Sequence, residues 1–165
     1  MLKSGLFALI LLLSQKLPEM GTIAGTVSAP AAERAASKPV QVVLLSAQFT
    51  NLWNSDLQKR LDSYWERYKP AFAQNKEYFV EVSRLAQKES FNYIVARMRR
   101  DAPEIVTQYV KETLPGGKFE FKNVPFGDYK ILAFGGIENQ DIVWQDDVQV
   151  STTIPQFLEL KNHQP

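Results

Sequence analysis

Apolar and polar positions follow two different periods along this chain. From Lys118 to Lys122 the order alternates strictly, so Phe119 and Phe121 project to one side of a strand and the charges to the other. Val40-Gln41-Val42-Val43-Leu44-Leu45 is instead an almost unbroken aliphatic run, which fits a strand covered on both faces. Thr22-Ile23-Ala24-Gly25-Thr26-Val27-Ser28 is β-prone, and Gly25 in its interior marks a bulge or a close backbone approach. Tyr129, Ile131 and Ala133 share a face opposite Lys130, and Gly135-Gly136 ends that strand. Ile142, Trp144, Val148 and Val150 make a sixth strand, interrupted at Asp146-Asp147, where a bulge or an edge position keeps both carboxylates wet. Ile154 to Leu160 makes a seventh, and Pro155 favours an edge.

After Thr50 the period lengthens. Asn54, Ser55 or Asp56 can cap a helix, and Leu57, Leu61, Tyr64, Trp65 and Tyr68 recur at three- and four-residue spacing until Pro70 is expected to stop it. A second helical stretch carries Phe72, Phe79, Val82, Leu85 and Ala86, continues through Phe91, Ile94, Val95 and Met98, and ends at Asp101-Ala102-Pro103. Ile105 and Val106 extend helix to about Gln108, and strand follows from Tyr109. Pro115-Gly116-Gly117 and Asn123 to Gly127 are turns. The expected fold is mainly β with an α insertion: a seven-strand sandwich over 21–50 and 109–160, a helical hairpin at 51–108 between strands two and three, and a polar tail at 161–165. The strands are expected to complement one another without residues 51–108, although the helices could cover one sheet face.

The stretch from Gly117 to Tyr129, with its glycine turn, alternating aromatic strand, Asn123-Val124-Pro125-Phe126-Gly127 turn and Tyr-led strand, resembles carboxypeptidase regulatory-like domains. Gly21 to Val27 is similar to that family's first strand. The resemblance implies a transthyretin-like (prealbumin-like) seven-strand sandwich and does not cover the helical block. It is nearly silent on function, because the motif describes how a hairpin is built. In physical terms Pro125 presets the turn and Asn123 can bond its own backbone. Phe119, Phe121 and Tyr129 can close the core across neighbouring strands.

With 165 residues, 45% of them apolar and 22% charged, the chain suits one globular domain carrying an insertion. A formal charge of +1 gives no global pull toward nucleic acid or an anionic membrane. Lys3 followed by the run Leu6 to Leu13 reads as a secretory signal over residues 1–14, and the protein is expected to be secreted or periplasmic. The run is too short to span a bilayer, so no stable membrane insertion is expected once the signal is cleaved. A buried N-terminal helix or strand is the alternative reading. No cysteine is present, which removes disulfides, thiolate metal sites and lipidated cysteine.

His163, in the polar tail, is the one histidine, so no Ser-His-Asp or Cys-His arrangement and no histidine-based metal site is expected. That also sets the chain apart from the hydroxyisourate hydrolases, enzymes of transthyretin-like fold that depend on histidines. Asp141, Asp146 and Asp147 could pair as catalytic or calcium-binding carboxylates, or could simply charge an edge strand. No catalytic residue, metal or cofactor is therefore assigned. The insertion is rich in aromatics and ends in the basic group Arg97, Arg99 and Arg100, which can equally be a solvated helix end. Trp53, Trp65, Arg97, Arg99 and Arg100 are the candidate partner-binding residues. The expected function is a non-catalytic binding or interaction module with a protein or carbohydrate partner. A carbohydrate-binding module using Trp53, Trp144 and Phe126 is the alternative. An enzyme with a carboxylate site is the third reading.

Overall fold

The computed structural model describes residues 18–28, 39–137 and 140–161; the leader read at 1–14 and His163 lie outside them. In chain order the elements are β1 (Met20–Val27), β2 (Gln41–Ser46), α1 (Ala47–Gln74), α2 (Glu77–Asp101), α3 (Pro103–Tyr109), β3 (Val110–Glu112), β4 (Lys118–Pro125), β5 (Gly127–Ile137), β6 (Gln140–Val150) and β7 (Gln156–Leu160). The fold is mixed and mainly sandwich-like: a three-stranded sheet in the order β4-β1-β7, a four-stranded sheet in the order β3-β2-β5-β6, and three helices. Only the β1–β7 pair is parallel among the pairings of the described residues.

Register explains the burial. Val42 pairs with Ala133, which pairs with Trp144, so these three share one face of the four-stranded sheet. Val43 pairs with Leu132 and therefore occupies the other face. All five are buried, so β2 and β5 are covered on both sides. Phe134, on the same face as Leu132, stacks on Phe91 of α2 with ring centroids 5.2 Å apart, and this identifies the second face as the helix-covered one. The molecule thus has three layers: a three-stranded sheet, a four-stranded sheet and a helical layer. The expectation that the strands complement one another without residues 51–108 is corrected here. Val43, Leu45 and Leu132 lose all solvent exposure under the helices, and burial of each such side chain is favourable by about 1.5–3 kcal/mol.

Three local expectations change. Helix α1 begins at Ala47, capped by Ser46 at the end of β2, so Asn54 and Ser55 are exposed helical residues and not caps. It also runs through Pro70 to Gln74 and takes in Phe72. Proline there removes one backbone bond, but Phe72 stacks on Trp65 at 5.4 Å and holds the final turn in register. On β6, pairing with β5 is continuous from Gln140 to Val150, so Asp146-Asp147 lie on a regular edge strand without a bulge. Gly25 meets the other expectation for its position: a Cβ there would run into the Leu158 carbonyl oxygen and the Phe119 ring. Asn123, expected in a turn, instead lies inside β4, at a shift in its register with β1, and takes a left-handed φ of 55°; Gln108 of α3 donates to the Lys122 and Asn123 carbonyls at 3.1 and 2.8 Å.

Candidate functional site

The two long helices divide into a half that packs on the sheet and a half that does not. Buried positions on α2 run from Ala86 to Met98, and those at the start of α1 are Phe49 and Trp53. Between Asn54 and Leu85 the one buried side chain is Phe72. At about 1.5 Å per residue, α1 is roughly 42 Å long, so its second half forms a sizeable arm.

A polar clasp joins the helices where the arm begins. Arg60 donates from Nε to Asp56 Oδ2 and from Nη1 to Glu89 Oε2, each at 2.7 Å. Tyr64 Oη donates to the same Glu89 oxygen at 2.5 Å, and the buried Ser90 hydroxyl donates to Asp56 at 2.8 Å. The bond to Asp56 raises the guanidinium pKa of Arg60, and the bond to Glu89 raises the phenol of Tyr64. Every charge in the clasp has a partner, so it acts as a brace between helices.

Beyond the clasp the arm carries an aromatic cluster. Trp65 stacks on Phe72, while Phe79 meets Trp65 edge-on at 6.3 Å and Phe72 edge-on at 5.7 Å. Tyr68 lies 6.5 Å from Phe72. Only Phe72 is buried. Trp65 remains 43% exposed, and Tyr78 and Phe79 are each 50% exposed. With Tyr68, Val80 and Leu85, the arm holds six of the ten large exposed hydrophobics among the described residues. Isolated exposed apolar residues are ordinary on any surface, but a contiguous group is the signature of a contact area.

The candidate residues separate accordingly. Trp65 belongs to the cluster. Trp53 is 1% exposed and part of the core, so its assignment as a docking residue is corrected: it sits about two turns into α1, where the helix still lies on the sheet. Trp144 is likewise buried, facing the other sheet, and Phe126 packs against the core, so neither these two nor Trp53 forms a sugar-stacking row. Arg97, Arg99 and Arg100 lie at the far end of α2 from the aromatic arm. Arg97 and Arg100 both bond Asp101 at 2.7 Å, and Arg97 also bonds Tyr93 Oη at 2.9 Å. These bonds, Arg100's first, hold the Asp101 carboxyl down to about 2. In this helix terminus Arg97 and Arg100 share one carboxylate, with Arg99 exposed beside them. Tyr78, Phe79 and Val80 were readable as a surface run: three consecutive helical residues point about 100° apart and cannot all face one neighbour.

The carboxylates do not converge. Asp141 pairs with Lys88 of α2 and Asp147 with Lys130 at 2.6 Å, while Asp146 lies on the opposite face of β6 and accepts the Asp147 N–H. No group of three His, Cys, Asp or Glu side chains placed to hold a metal occurs among the described residues. No helix among them is long and apolar enough to cross a membrane. A second exposed feature lies on the outer face of the three-stranded sheet. There a shallow groove of about 600 Å³ has Ala24, Gly25 and Thr26 as its floor and Phe157, 80% exposed, on its wall.

No protein-family model matches the chain, and no curated protein matches it. A solved Pseudomonas aeruginosa structure, provisionally described as that of a carbohydrate binding protein, aligns over 89% of this chain and 91% of its own. The identity is 14% and the TM-score 0.36.

Proposed function

We propose that this chain is a non-catalytic, exported binding or interaction module in which the sandwich is the scaffold and the distal half of the α1–α2 hairpin is the contact element. The scaffold is of the carboxypeptidase regulatory-like kind, with residues 51–108 as its insertion; the Gly117–Tyr129 hairpin supports this. Export rests on Lys3 and the Leu6–Leu13 run. The observation that carries the contact role is the exposed cluster of Trp65, Tyr68 and Phe79 around Phe72 on an arm clear of the sheet, with the adjoining Tyr78 also exposed. Tryptophan and tyrosine supply large contact area at low ordering cost, which is why they dominate interface hot spots.

A carbohydrate-binding reading is supported by Phe157 beside its groove, flanked by Lys118, Glu120 and Glu159 as hydrogen-bonding groups. The two readings separate in one experiment. The full chain is immobilised through its C-terminal tail and exposed to an extracellular or periplasmic fraction. It is compared with Trp65→Ala/Phe79→Ala and with Phe157→Ala. The contact reading expects the retained species to be lost with the hairpin variant alone. Loss with Phe157→Ala alone, with a glycan as the retained species, establishes the second reading. Equal retention by all three overturns the first.

A further inference from the structure

The end of a sheet presents a row of unpaired N–H and C=O groups, which a strand of another chain can take up. Here the two sheets end on β3, β4, β6 and β7. β3 has 3 residues and β7 has 5, so neither offers a long template. β4 is partly occupied: the Lys118 carbonyl accepts the Leu114 N–H, and Gln108 donates to the Lys122 and Asn123 carbonyls. β6 has 11 residues, and among the described residues no strand pairs with its outer side.

The registers show which groups of β6 face outward. The Thr113 N–H bonds the Val40 carbonyl at 2.9 Å and extends the β2–β3 register by one pair. Even-numbered residues of β2 therefore bond toward β3 and odd-numbered ones toward β5. Carried across β5, the same alternation turns Ile142, Trp144, Asp146 and Val148 to β5, and Val143, Gln145, Asp147 and Gln149 to the free side. Two of the outward groups are already filled. Gln156 Nε2 donates to the Gln149 carbonyl at 2.8 Å, and the Asp147 N–H donates to Asp146 Oδ1 at 2.9 Å. Asp146 has the parity of Ile142, Trp144, Val148 and Val150, which are all buried, yet it is exposed. Its carboxylate reaches round the edge to an N–H that an incoming strand would need, and sets a negative charge against that strand's carbonyl oxygen. Every copy of this chain carries the same long edge, so a two-fold pairing of β6 with β6 is the contact at hand. We infer that Asp146 closes the edge of β6 to strand addition and keeps the chain from pairing edge to edge with a second copy.

Sedimentation velocity of the full chain and of Asp146→Val, from about 1 to 100 µM, tests this. Valine removes the acceptor and completes the apolar row. Asp146→Val is expected to associate at a concentration at least tenfold below the unaltered chain, with far-ultraviolet dichroism unchanged. Adding Gln145→Pro deletes an outward N–H without touching the bonds to β5, and is expected to restore the unaltered behaviour. No added association in Asp146→Val overturns the inference. Association that survives Gln145→Pro also overturns it, because the added apolar side chain alone would then be the cause. Residue-resolved amide exchange decides the matter if Asp146→Val does not fold. Relative to intrinsic rates, the Asp147 amide is expected to exchange at least threefold slower than that of Gln145, and Asp146→Ala is expected to remove the difference. Equal protection in the unaltered chain, or a difference that persists in Asp146→Ala, overturns the inference.

Discussion

Phe91 of α2 and Phe134 of β5 lie with ring centroids 5.2 Å apart and planes 30° apart, and through this stack the helical layer becomes part of the core. Phe91 is fully buried. Phe91→Ala removes the stack and leaves a cavity between the layers, with an expected loss of about 3–5 kcal/mol. Urea unfolding followed by dichroism measures it. A loss below about 1 kcal/mol, the size of an exposed-site change, would show that the helices do not seal the sheet.

The same packing sets the outcome of excising residues 48–108. With Ala47 joined to Tyr109 by a short glycine-serine linker, Val43, Leu45, Leu132 and Phe134 lose their cover. The expected product associates or fails to fold. A soluble, cooperatively unfolding monomer in size-exclusion chromatography would contradict the three-layer account.

Two tyrosines give a pH signature. Tyr129 donates to the Pro125 carbonyl at 2.9 Å and meets Tyr109 edge-on at 6.4 Å. Burial, and then the neighbouring Tyr109, pushes its phenol up to about 12; burial also raises Tyr109. A raised folded-state pKa means that the unfolded chain loses its proton first. Stability is therefore full below about pH 10, the ordinary tyrosine value, and falls as pH rises toward 12. Urea midpoints between pH 9 and pH 11.5 should fall, and Tyr129→Phe, which cannot titrate, should flatten that slope.

The clasp at the base of the arm contributes less. Its members are partly solvated, so Arg60→Ala is expected to cost about 1 kcal/mol. The unfolding midpoint checks this. The loss should shrink in a Glu89→Gln background, because the two residues share one interaction.

Legibility in the sequence followed how local each cause was. The Phe119–Phe121 alternation and the Val42–Leu45 run are period signals, and β4 and the doubly covered β2 appear where those signals lie. The start of α1 was hidden because Ser46 closes β2 and caps the helix directly, with no side-chain capping bond and no intervening loop. Pro70 read as a stop because propensity counts the lost bond and cannot count the stacking of Phe72 on Trp65. For the site, the richness of the insertion in aromatics was plain, but exposure depends on where the helix leaves the sheet. Trp53 and Trp65 share one helix and one chemistry, and differ by three turns of reach.

Segment-resolved hydrogen exchange of the full chain tests most directly that one half of the hairpin belongs to the core and the other stands clear. Amides in Phe91–Met98 and in β2 should exchange only through global unfolding. Those in 57–85, with little buried surface to hold them, should exchange through local opening at least tenfold faster. Equal protection along the whole of α1 and α2 at low protein concentration would contradict it.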